Sequence, residues 1–285
     1  MRHDIYNYNI DYKPVIKITA GTRTPNAVEF DKTKVTSWSY NDRTVRILPP
    51  GIIAAKDGEV FRPLPRQNVT ADVAANATSF TCNHPQVFVV GDVLTVVGAS
   101  ETVTIGGTWL AADTLTVSLD DQDYTYTVAA EDIGGSDTET RANIAVKLKD
   151  LLVDHTVYVK DAVARIFAAD FKKTESLTVV ESSTAGTITA GSGNLVSNPA
   201  VGTVSAVDVD NKTVTISAAS TELFSGVPVG VVGVTPMYGM VMPTNSFDLE
   251  HCLNYATWSH LTVFAERLPY WDAELTNLFK GIELA

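Results

Sequence analysis

The segment Thr114-Leu-Thr-Val-Ser-Leu119 alternates apolar and hydroxyl residues without a break, and Tyr124-Thr-Tyr-Thr-Val128 does the same after Asp120-Asp-Gln-Asp123. A period of two sends alternate side chains to opposite faces, so the stretch is expected to form a β-hairpin with one face buried. Short runs of the same kind recur between turn residues. Ser79–Thr81, Val87–Val90 and Val93–Val97 flank Gly91-Asp92, and Gly202–Val209, Thr213–Ser217 and Val227–Val234 surround Asp210-Asn-Lys212. Val45–Leu48, Ile52–Lys56 and Val60–Leu64, split by Pro49-Pro-Gly51 and by Asp57-Gly58, suggest a small β-meander, with the Asp-Gly pair suited to a tight hairpin turn. The fold class expected is mainly β.

Helical signals are few. Ser136 and Glu139 have capping-box spacing, and Ala142, Ile144, Ala145, Leu148, Leu151 and Leu152 place one apolar face opposite Arg141, Lys147 and Lys149. Strands are expected at Val163–Ala168 and Leu177–Glu181, followed by a Gly/Ser-rich loop at Thr184–Asn194. After Pro243, Leu261–Ala265 reads as a strand and Asp272–Ile282 as a short terminal helix. At 285 residues the chain exceeds one ordinary domain. The β-rich sets on either side of residue 150 share one character, which suggests nesting. The division expected is an arm at 1–44, a domain from 45–68 plus 235–285, an inserted β domain from 69–99 plus 199–234, and an α+β module at 100–198. For residues 1–44 a second reading stays open, a pair of irregular edge strands.

Apolar residues make up 45% of the chain and charged residues 19%, the balance of a folded chain. No apolar run approaches the roughly 18 residues of a membrane span, and the first residues lack a secretory signal, so residence in a reducing cytosol is expected. The net charge of −12 argues against nucleic acid as a partner. It is unevenly spread. Residues 1–66 hold 11 Lys and Arg against 7 Asp and Glu, a net of +4, which leaves −16 for residues 67–285.

No G-x-S-x-G, Walker A, G-x-G-x-x-G or H-E-x-x-H pattern is present, so no enzyme activity, catalytic residue or cofactor is assigned. Cys82-x-His84 and His251-Cys252 supply thiols and imidazoles in a spacing unlike zinc ribbons or fingers, and Asp120, Asp121 and Asp123 lack the glycine and distal glutamate of a calcium loop. Core packing and turn formation are the expected roles, with no metal site. In the basic head of the chain, Tyr6, Tyr8, Tyr12, Lys13, Lys17, Arg23, Trp38, Tyr40, Arg43 and Arg46 interleave aromatic and cationic side chains in the manner of a contact surface.

Ile47-Leu-Pro-Pro-Gly-Ile-Ile-Ala-Ala-Lys-Asp-Gly-Glu-Val-Phe-Arg-Pro-Leu64 resembles a segment of lambda-type head decoration (capsid cement) proteins of tailed phages, and Val263-Phe-Ala-Glu-Arg-Leu-Pro269 is similar to their C-terminal part. Ala112–Leu119, Asp123–Val128 and the helix that follows look like an accessory module of phage virion proteins, with Ala112 and Gln122 where glycines are expected. Together the resemblance covers about half the chain. It implies a small β-barrel or β-tulip-like decoration domain, carrying the nested β and α+β insertions, on the outer capsid surface of the virion. It also implies the major capsid protein as partner, the ten residues above as capsid contacts, and self-association as a trimer. The alternative is a tail tube, baseplate or fibre component, with Trp109 and Tyr124 or Tyr126 exposed to stack on glycans.

Overall fold

A computed structural model describes residues 22–23, 28–40, 42–49, 51–169, 173–197, 199–217, 222–241, 247–249, 254–255, 258–263, 268, 270, 275 and 282–284. Their regular structure is mainly β. The alternating hairpin forms where its pattern places it, with strands Thr114–Leu119 and Gln122–Thr127 in unbroken antiparallel register. Leu115, Val117 and Leu119 are buried. The turn is tighter than the Asp120–Asp123 span suggested. It consists of Asp120 and Asp121, and Asp120 takes the left-handed φ of 50° that Asp tolerates.

This hairpin edges an eight-stranded sheet in the order 122–127, 114–119, 175–182, 194–197, 99–107, 163–167, 156–160, with 186–190 also on 99–107. Helix α1, Asp137–Leu151, crosses it and buries Ile144, Ala145 and Leu148 against Leu115, Val117 and Ile166. Ser136 Oγ accepts the Glu139 N–H at 3.2 Å, while the Glu139 carboxylate reaches Gly135 N–H instead of closing the box on Ser136. Each fully buried Leu or Ile here contributes roughly 1.5–3 kcal/mol. The loop expected at Thr184–Asn194 contains the strand Gly186–Ala190. Its Ile188 is buried between exposed Thr187 and Thr189, a period-two signal hidden by small residues.

A second, six-stranded sheet runs 66–68, 228–231, 93–96, 200–208, 213–216, 79–81. It curls until its edge strands meet. Val69 bridges Cys82, and Thr70 N–H donates to Thr81 O at 2.9 Å. The expected strand Val87–Val90 is instead a 3₁₀ turn, Pro85–Val87, followed by a turn at Val90–Gly91, because Pro85 has no N–H for a ladder and opens a helical turn well.

The remaining large sheet, which holds the earliest strands of the chain and is therefore termed the first sheet, orders 22–23, 258–263, 235–241, 53–57 and 60–63, with 282–284 parallel to 258–263. Only Ile53–Asp57 and Val60–Pro63 form the expected meander, since Ile47–Leu48 pairs with Phe247–Asp248. Ile282, expected to close a helix, lies in a strand, and the rest of that helix is outside the described residues except helical Leu275. Within 1–44, Thr22–Arg23 pairs with the 258–263 strand, Val28–Glu29 with Asn254–Tyr255, and Phe30 with Phe61.

One core joins the first two sheets through Phe30, Leu48 and Ala54 with Phe80, Phe88 and Leu94. A second fills the space under α1. Phe167 and Tyr158 of the eight-stranded sheet reach into the first core, so the two are packed together.

Candidate functional site

Residues 28–46 are anchored at several points. Asp31 caps the short turn Lys32–Lys34 by accepting from Thr33 N–H at 2.9 Å, and its own N–H donates to Phe61 O at 2.8 Å. Thr36 N–H donates to Gln86 O at 3.0 Å, its hydroxyl donates to Phe88 O at 2.6 Å, and Arg46 Nε donates to Val35 O at 3.0 Å. From this base the strands Trp38–Tyr40 and Arg43–Val45 rise as a two-stranded ribbon, turning at Asp42 with φ 60°. Trp38 opposes buried Val45 and Tyr40 opposes Arg43, so these four positions share one face.

Beneath the ribbon's base lies a charge cluster that the sequence did not announce. Arg62 is fully buried. Its guanidinium grips Asp92 with two bonds, at 2.8 and 3.0 Å, and also donates to Asp57 at 3.2 Å and to Val87 O at 2.9 Å. Asp92 accepts Val89 N–H at 2.9 Å, and Lys34 Nζ stands 2.9 Å from Asp57. Hydrogen bonding from Lys34, reinforced by Arg62 and opposed by burial, holds the Asp57 carboxyl below its ordinary range. Four of the five donors of Arg62 are engaged, and they join the first sheet to the bend that opens the second. Neither spacing nor motif links residues 62 and 92, and the one available signal was a charged residue inside an otherwise apolar strand.

The sequence-selected contact residues divide as follows. Arg43 is exposed on the ribbon, Trp38 and Arg46 are half-buried, Tyr40 lies in the ribbon strand, and Arg23 lies in the strand beside Trp258. Trp38, Tyr40, Arg43 and Arg46 are thus gathered in one hairpin and its base. Tyr6, Tyr8, Tyr12, Lys13 and Lys17 lie outside the described residues.

Cys82 lies beyond the end of strand Ser79–Thr81 and is buried in the core, where desolvation pushes its thiol up to about 12. Burial, with Lys212 nearby, pushes the His84 imidazole down to about 4. His251 and Cys252 lie outside the described residues, and among the described residues no three His, Cys, Asp or Glu converge as a metal site would require. Asp120 caps a turn: it accepts from Ser176 N–H at 2.9 Å and pairs with Lys173 at 3.0 Å. Trp109, expected to be exposed in the glycan-binding alternative, is buried against Gly186, and its Nε1 donates to Gly106 O at 2.7 Å. Its ring presents nothing to a sugar. Tyr124 and Tyr126 are half-buried, one edge-on to His155 and the other bonded through its hydroxyl to Asp132. The chain matches no protein-family model and no curated protein sequence.

Proposed function

We propose that this chain is a structural interaction protein that binds the outside of a phage capsid and stabilises it. Residues 1–66 would face the major capsid protein, and the acidic remainder would face solvent on the virion surface. The observation that carries the reading is the charge division, +4 over residues 1–66 against −16 over the rest. Opposite charge steers and orients docking, and the acidic bulk repels unproductive approach. The ribbon supports the reading, because Trp, Tyr and Arg are the residue types that dominate protein interfaces and Trp38, Tyr40 and Arg43 occupy neighbouring positions of one hairpin, with Arg43 exposed. The resemblance of Ile47–Leu64 to decoration proteins points the same way. On this reading the protein has no enzymatic activity.

The test is co-sedimentation with expanded phage heads. Deleting residues 1–21 spares the paired strands Thr22–Arg23 and Val28–Glu29. Combined with Lys32→Glu and Arg43→Glu at two exposed positions, this change is expected to abolish binding while the circular dichroism spectrum of the folded chain is retained. Undiminished binding would overturn the reading.

A further inference from the structure

The strand Gln122–Thr127 ends the eight-stranded sheet, paired with Thr114–Leu119 on one side and with nothing among the described residues on the other. Val128 N–H donates to Asp113 O at 2.8 Å, which fixes the parity of the ladder. Gln122, Tyr124 and Tyr126 turn their backbone groups toward Thr114–Leu119, and Asp123, Thr125 and Thr127 turn theirs outward. Several other edges are guarded. The second sheet's edges meet each other at Val69 and Cys82. In the first, Val60–Pro63 contains a proline and accepts the Asp31 N–H at Phe61 O. At the far edge of the eight-stranded sheet, Tyr158 packs on Gly226 and Lys160 pairs with Glu222. A regular open edge recruits another strand unless proline, charged side chains, a bulge or a cover prevents it. Gln122–Thr127 has no proline, no lysine and no register shift, and Asp123 is its one charged residue.

We propose that this edge pairs antiparallel with the same edge of a second copy of the chain, about a two-fold axis perpendicular to the sheet and midway between the two Thr125 residues. The segment is self-complementary in that register. Thr125 opposes Thr125, and Asp123 opposes Thr127 in both directions, each pair exchanging two backbone hydrogen bonds. On the opposite face Tyr124 meets Tyr126 twice as an aromatic cross-strand pair. The register that sets Asp123 against Asp123 would face two carboxylates together, and only the one centred on Thr125 pairs all three outward residues within the strand. The inference does not depend on what the chain binds through residues 1–66.

Cysteine cross-linking of the full chain tests it. In a hydrogen-bonded antiparallel pair the Cα atoms lie about 5.5 Å apart, within disulfide range. Thr125→Cys is expected to give, under mild oxidation, a reductant-sensitive dimer of twice 30.6 kDa. Thr116→Cys, one strand inward on the same face, is expected to remain monomeric. Thr125→Pro removes only an outward N–H and is expected to convert a dimer into a monomer in size-exclusion chromatography with light scattering, without change in circular dichroism. A wild-type chain that is monomeric at every concentration, equal cross-linking at 116 and 125, or a dimer that survives Thr125→Pro would overturn the proposal. Should Thr125→Pro unfold, the two cysteine variants decide alone.

Discussion

Arg62 has no access to water, so its charge is tolerable only because Asp92, Asp57 and Val87 O surround it. The intact cluster adds little net stability, since two desolvated charges gain little over a well-packed apolar pair. Removing one partner is another matter. Arg62→Met leaves Asp92 buried and held by the Val89 N–H at 2.9 Å, and is expected to cost about 3–5 kcal/mol in urea unfolding. In Arg62→Met with Asp92→Asn the uncharged amide still accepts from Val89, so the double variant is expected to be more stable than Arg62→Met alone. Strict additivity in the double-mutant cycle would show that the two residues do not act as a unit. Individual buried apolar residues such as Leu115 or Ile144 were legible from periodicity. Arg62 was not, because its partner is chosen by the approach of two sheets and leaves no local trace.

Between single residues and the whole chain, legibility followed how far each element is set by its own sequence. The 114–127 hairpin and α1 declared themselves through strict alternation and a capping serine. Gly186–Ala190 did not, because Gly, Thr and Ala score as loop until Thr104 and Ile105 pair with it. At the ribbon the sequence supplied the residue types Trp38, Tyr40 and Arg43, and the structure supplied their common face. The joint between the eight-stranded and second sheets rests on a feature equally silent in sequence. Gly226 has φ +91°, and a Cβ there would come 2.6 Å from the Tyr158 ring, beside the Lys160–Glu222 ion pair and the bond from Arg165 to Glu222 O. Gly226→Ala is therefore expected to destabilise by about 1–3 kcal/mol, through left-handed strain and overpacking together. Gly193→Ala, with open space around it, is expected to change stability by less than about 0.5 kcal/mol. Similar unfolding midpoints for the two variants would deny the Tyr158 contact its role.

At the scale of the molecule, the titrating groups divide the pH axis by location. Asp113 and Asp120 of the eight-stranded sheet, Asp208 of the second and Asp57 of the first all have carboxyls held low, the first by the Ser183 hydroxyl, the second by the Ser176 backbone, the third by Asn211 and the last by Lys34. A lowered folded pKa contributes stability above the unfolded value of about 4 that is lost only as pH falls below it. Those four groups leave stability nearly untouched between about pH 5 and 7. His84 does not. Unfolded, its imidazole takes up a proton near pH 6.5, whereas burial and Lys212 keep it neutral in the fold down to about 4. As pH falls between those values the unfolded chain binds a proton the folded chain refuses, so stability declines by up to about 3 kcal/mol and then levels off. His84→Gln keeps the backbone N–H that donates to Gln67 Oε1 at 3.1 Å and removes the titration. Its urea midpoint is expected to stay nearly constant from pH 6.5 to 5 while that of the parent chain falls. Parallel pH profiles for the two proteins would mean that position 84 is solvated and that the closure of the second sheet beside Val69 and Cys82 is looser than its hydrogen bonds imply.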